Sequence, residues 1–146
     1  MKTLIIGYGN PGREDDGIGP AVADAVEKLN LKDITVDSDY QLNIEYAHDV
    51  SKFDLVIFVD ASRECDEPFE MKKIQPALQI TFTTHSINAE SVLALCGDLY
   101  GKYPDAYMLA VRGYSFEMKE GLSDKAMKNT QKAVEFLAEF IGKMQL

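Results

Sequence analysis

The chain has 146 residues, enough for one domain of ordinary size with a real buried core, and its 46% hydrophobic and 27% charged residues are those of a soluble globular protein. A net charge of −9 argues against nucleic acid or an anionic membrane surface as partner, and no apolar stretch reaches the roughly 20 residues that cross a bilayer. The two cysteines, Cys65 and Cys96, have neither metal nor redox spacing, and only Lys2 precedes the first strand-like run, so the expectation is a cytoplasmic protein without a secretory signal.

Strand and helix patterns alternate along the chain. Thr3–Ile6 reads as a first strand. It runs into Gly7-Tyr8-Gly9-Asn10-Pro11-Gly12, followed by the successive acids Glu14, Asp15 and Asp16. Pro20–Asn30 reads as a helix with Val22, Ala25, Val26 and Leu29 on one face. Ile34–Asp37 is a short second strand and Asn43–Val50 a short helix. Asp54–Val59, apolar on both faces, reads as a central parallel strand, and Phe69–Ile74 as an edge strand. A helix begins at Asn88, which caps it, with Ile87 and Val92 spaced as a hydrophobic staple and Glu90 in the first turn. Its buried face is Val92, Leu95, Cys96 and Leu99. Ala106–Val111 is a further strand. Ser123–Met144 is a long terminal helix carrying Ala133, Val134, Leu137, Phe140, Ile141 and Met144. These alternating units predict a single three-layer α/β/α domain over residues 1–146, with a mainly parallel sheet of about five strands. Ligands are expected beyond the carboxyl ends of its strands.

Gly7, Gly9 and Gly12 satisfy G-x-G-x-x-G after a strand, the spacing of a dinucleotide loop. Three carboxylates directly behind it oppose that reading, because phosphate charge would sit beside them at a cost of several kcal/mol for an effective dielectric of about 20. The same acids suit a cation. The sheet-edge rule then brings together Asp16 after the first strand, Asp60 at the end of Val59-Asp60-Ala61-Ser62, and His85 in Thr83-Thr84-His85-Ser86 before the helix near Asn88. The positive end of that helix disfavours imidazolium and keeps His85 in its ligating form. Two carboxylates and one imidazole suit Ni²⁺, Zn²⁺ or Fe²⁺.

Each residue also has a plainer role. An Asp at a strand end is often a turn former, and a lone histidine is more often structural. His48 is assigned to a surface helix. Glu14 and Asp15 can simply favour the positive end of the following helix. Cys96 falls on an apolar helix face. Cys65, among Glu64, Asp66 and Glu67, has a raised pKa and makes a poor nucleophile. The scattered methionines fill gaps in the core.

The block Gly7-x-Gly9-Asn10 with Asp15-Asp16-Gly17-x-Gly19, the strand end Val59-Asp60-Ala61 and the turn Thr84-His85 resemble, in order and spacing, the hydrogenase maturation endopeptidases. That family removes a C-terminal extension from the large-subunit precursor of a [NiFe]-hydrogenase after nickel insertion. The resemblance implies that Asp16, Asp60 and His85 meet nickel carried by the precursor and form the catalytic site, in a monomer without a permanently bound metal. Many relatives have Glu where this chain has Asp16. An Asp-Gly-Gly-Thr type segment after the second strand is replaced by Ser38-Asp39-Tyr40-Gln41-Leu42-Asn43, which bears on the choice of hydrogenase. The water that attacks is activated by metal polarisation or by a carboxylate base, and both routes stay open. Two rival functions are a nucleotide-binding domain with Asp37 or Asp39 on the ribose, and a non-catalytic nickel-binding chaperone.

Overall fold

The structure is a computed structural model describing residues 1–79 and 87–145. Five strands form one sheet: β1 (Thr3–Tyr8), β2 (Ile34–Asp39), β3 (Leu55–Ser62), β4 (Phe69–Ile74) and β5 (Asp105–Arg112), in the order β2-β1-β3-β5-β4. All neighbours are parallel except β4, which runs antiparallel to β5 at one edge. This is the expected α/β architecture, with the Asp54–Val59 segment in the middle.

Alternation along the strands builds two cores. Leu4, Ile6, Val56 and Phe58 pack on one side, under the helices α2 (Tyr46–Val50) and α3 (Ala89–Tyr100), with Val50, Val92, Leu93 and Cys96. Ile5, Ile57, Val59, Leu109 and Val111 face the other way, against α1 (Ile18–Glu27) and α4 (Asp124–Met144), with Val22, Val26, Leu137 and Ile141. Each such side chain taken fully from water contributes about 1.5–3 kcal/mol. Because the layers come from different strand faces, the sheet is covered on both sides and its free rims are the strand ends.

The helix caps follow the chemistry of their residues. Asn88 Oδ1 accepts from Ser91 N at 2.8 Å, and Ile87 packs on the same core as Val92. Ser123 caps α4 by accepting from Ala126 N. Two predicted buried positions are corrected. Leu29 is 47% exposed because α1 ends at Glu27, and Leu99 is 66% exposed because it lies off the buried face near the end of α3, which closes on Gly101 at φ +74°.

β1 and β3 part company at the rim. Their pairing stops at Gly7↔Val59, whereas β3 stays paired with β5 through Asp60↔Ala110, Ala61↔Val111 and Ser62↔Arg112. The chain of β1 turns away at Gly9, whose φ of +143° is open to glycine and whose absent Cβ would lie 2.0 Å from the Asp16 carbonyl oxygen. A Cβ on Gly19 would lie 2.3 Å from the Tyr8 carbonyl oxygen. The glycines therefore let the chain after the loop pack back on β1.

Candidate active site

Asp16 stands on a 3-10 turn (Glu14–Gly17) that links the glycine loop to α1. Asn10 N donates to Asp16 Oδ2 at 2.8 Å, and Asn10 Oδ1 in turn accepts from Gly12 N at 2.8 Å, so the loop holds the carboxylate by its own backbone. Asp60 lies on the stretch of β3 that β1 has left. Ala61 N donates to Asp60 Oδ1 at 2.8 Å, and the Tyr8 hydroxyl stands near the same carboxylate. Burial, together with the nearby charge of Asp16, pushes the Asp60 carboxyl up to about 7 against the opposing pull of Ala61 N and the Tyr8 hydroxyl. Asp60 is thus poised to take or give a proton near neutrality.

Tyr8 is the partner that the strand reading left out. Its phenol is pushed well above its ordinary value by burial and by the charges of Asp60 and Glu90, so it stays neutral. Glu90, in the first turn of α3, is the second charge acting on it. The signal for Tyr8 was its position at the end of a strand pointing to the rim; Glu90 is explained equally well as a helix-dipole residue, so nothing local marks it out.

The three successive acids do different things. Asp15 and Glu14 do more than favour a helix end. Asp15 is wholly buried and accepts from Tyr114 N, Ser115 N, Ser123 N and Ser123 Oγ at 2.7–3.0 Å, which holds its carboxyl below the ordinary value despite burial. Glu14 is also buried and accepts from Ser115 Oγ at 2.8 Å. Of the three, Asp16 is the one whose charge reaches Asp60. The glycine block is filled by its own chain, not open as a phosphate cradle, with Gly9 against Asp16 and Gly7 against Gly19.

The structure thus brings Asp16 and Asp60 together. His85, with Thr84, lies outside the described residues. Among the described residues no group of three or more His, Cys, Asp and Glu is arranged to hold a metal ion. His48 is exposed, with Nδ1 2.9 Å from the Tyr100 hydroxyl. Both cysteines are buried, and burial pushes both thiols up; at Cys65 it outweighs the nearby acids that the sequence suggested as the cause. The Ser38–Asn43 segment leaves β2 beside Tyr8, in register with Asp39. Asp39 Oδ2 accepts from the Tyr46 hydroxyl at 3.1 Å, while Tyr40 and Ile44 stand 70% and 60% exposed next to this rim.

A doubly covered sheet with two carboxylates at one rim, beyond the carboxyl ends of its central strands, is a frame for acid–base chemistry. No protein-family model matches the chain. It is 32% identical, over 96% of both sequences, to a protein of Methanocaldococcus jannaschii provisionally named a hydrogenase maturation protease. The chain belongs to the hydrogenase maturation protease family, and is a peptidase. Among solved structures it resembles the [NiFe] hydrogenase maturation protease HycI of Thermococcus kodakarensis, with 25% identity, a TM-score of 0.73 and coverage of 94% of this chain and 90% of that one. It shares its fold with the hydrogenase maturating endopeptidase HybD of E. coli, with 20% identity, a TM-score of 0.80 and coverage of 99% and 94%. No helix among the described residues is long and apolar enough to cross a membrane.

Proposed function

We propose that this protein removes the C-terminal extension of a [NiFe]-hydrogenase large-subunit precursor once nickel is in place, and that Asp16, Asp60 and His85 read the nickel in the substrate. The observation that carries this reading is the placement of Asp16, on the turn after β1, and Asp60, on β3 just past the end of its pairing with β1, at one rim of the sheet. The relatives' names support the protease class and the hydrogenase context.

In this mechanism the precursor arrives with its nickel held by its own thiolates, and Asp16 donates oxygen to it. That contact sets the scissile peptide beside Asp60. Deprotonated Asp60 takes a proton from water, the hydroxide adds to the peptide carbonyl carbon, and the same proton passes to the leaving nitrogen as the C–N bond breaks. Polarisation of the same water by the substrate's nickel is the alternative route. Ala61 N, donating to Asp60 Oδ1, keeps it aimed. The site acts in the cytoplasm, where the precursor is matured, and the enzyme works as a monomer.

The test is intact-mass analysis of a large-subunit precursor incubated with the protein, in nickel-loaded and nickel-free forms. Loss of the extension from the loaded form alone is expected. A chaperone would instead bind nickel tightly by itself and leave the precursor mass unchanged. Activity that requires stoichiometric zinc in the purified protein would replace substrate nickel with a resident metal centre.

A further inference from the structure

Asp15 is the most heavily hydrogen-bonded carboxylate among the described residues, and it lies next to Asp16. Its Oδ2 accepts from Tyr114 N at 2.7 Å, Ser115 N at 3.0 Å and Ser123 Oγ at 2.8 Å; its Oδ1 accepts from Ser123 N at 2.7 Å. Its own N donates to Ser115 O at 2.9 Å. All of these partners are about a hundred residues away, on the connection between β5 and α4. Gly113 lets that connection close in, since a Cβ there would meet the Asp15 Cβ at 2.9 Å. Glu14 joins the grip, with its N donating to Lys119 O at 2.8 Å, and it is held at φ +46°, a left-handed conformation that a glutamate adopts only under constraint.

The turn that carries these residues has about three residues per turn, so neighbouring side chains leave it about 120° apart. Asp15 grips the wall while Asp16 faces Asp60. Among the described residues Asp16 has a single backbone donor of its own, Asn10 N. Burying a carboxylate is unfavourable unless its acceptors are filled, and here the filled acceptors fix a direction that apolar contacts would not.

We propose that Asp15 is a positioning residue: by anchoring the turn to the 113–123 connection it sets where the Asp16 carboxylate stands opposite Asp60. The consequence for turnover rests on the protease reading above; the geometric consequence does not. Reacting groups misplaced by about 1 Å lose about a hundredfold in rate. Asp15→Asn places an amide N–H against Ser123 N–H and breaks the anchor with almost no change in shape.

The experiment compares Asp15→Asn with Asn129→Ala, which removes two bonds from the same connection (to Arg112 O and the Tyr114 hydroxyl) and none from the turn. Both are assayed well below their melting temperatures by precursor cleavage and by amide hydrogen exchange. Asp15→Asn is expected to lower kcat about 10- to 100-fold with KM within about twofold, and to speed exchange at the Asn10 amide that reports on Asp16. Asn129→Ala is expected to lose stability while keeping kcat within about twofold and Asn10 exchange unchanged. Should Asp15→Asn not fold, Ser123→Ala, which loses one of the four bonds, is expected to show a several-fold fall in kcat and faster Asn10 exchange. Unchanged Asn10 exchange in the Asp15 variant, or, with an active wild type, equal turnover in the two variants, overturns the positioning role. An inactive wild-type protein in which Asp15→Asn still speeds Asn10 exchange would instead overturn the protease reading alone.

Discussion

Asp60 stores an electrostatic cost that its neighbours keep in place. Its folded carboxyl is raised to about 7 from 3.8, so the stability it contributes is present below the unfolded value and is lost as pH rises through about 7. Replacing it with Asn removes that dependence. Thermal melts from pH 4 to 8 should show the difference between Asp60→Asn and wild type moving in favour of the variant as pH rises; a constant difference would mean that Asp60 is not raised. Asp15 runs the opposite way. Its lowered carboxyl contributes stability above its unfolded value, lost as pH falls, so Asp15→Asn should destabilise at pH 7, by roughly 1–3 kcal/mol for donors left unpaired. At Asp16 the prediction concerns charge. Asp16→Glu keeps appreciable cleavage because oxygen donors and charge remain, whereas Asp16→Lys sets a cation against nickel and is inactive. Retained cleavage by Asp16→Lys would remove Asp16 from the site.

At the scale of elements, the glycine block works by contact. Gly19→Ala forces a methyl group to within 2.3 Å of the Tyr8 carbonyl oxygen, so β1 and α1 must separate. We expect a loss of about 1–3 kcal/mol by denaturant titration, as for overpacking elsewhere, and a larger loss of cleavage, because the same contact fixes the chain on which Asp16 stands. The filled block also predicts that saturating NAD or ATP leaves the melting temperature unchanged; a rise would restore the nucleotide rival. The elements themselves were legible. DLVIFV, apolar on both faces, could only sit mid-sheet, and Asn88 announced its helix through an acceptor side chain before an apolar run. What local pattern left out was where elements stop. Leu99 keeps helical spacing yet is exposed, because it lies off the buried face near the end of α3.

Across the whole molecule, topology decided which residues meet. The strand-end rule reached Asp16 and Asp60 because a parallel sheet places successive carboxyl ends on one rim. It did not reach the Asp15 anchor, whose partners stand about a hundred residues away and are ordinary loop serines and a tyrosine in the sequence. Nor did it reveal that β3 continues past its partner β1, which is why Asp60 stands in the gap with Tyr8 beside it. The central claim, that this rim cuts a nickel-bearing precursor, is tested most directly by incubating the nickel-loaded large-subunit precursor with wild type and with Asp60→Asn and weighing the products. The account predicts loss of the C-terminal extension with wild type and an uncut precursor with the variant, at unimpaired stability near neutral pH. Full processing by Asp60→Asn, or none by the wild type, would contradict it.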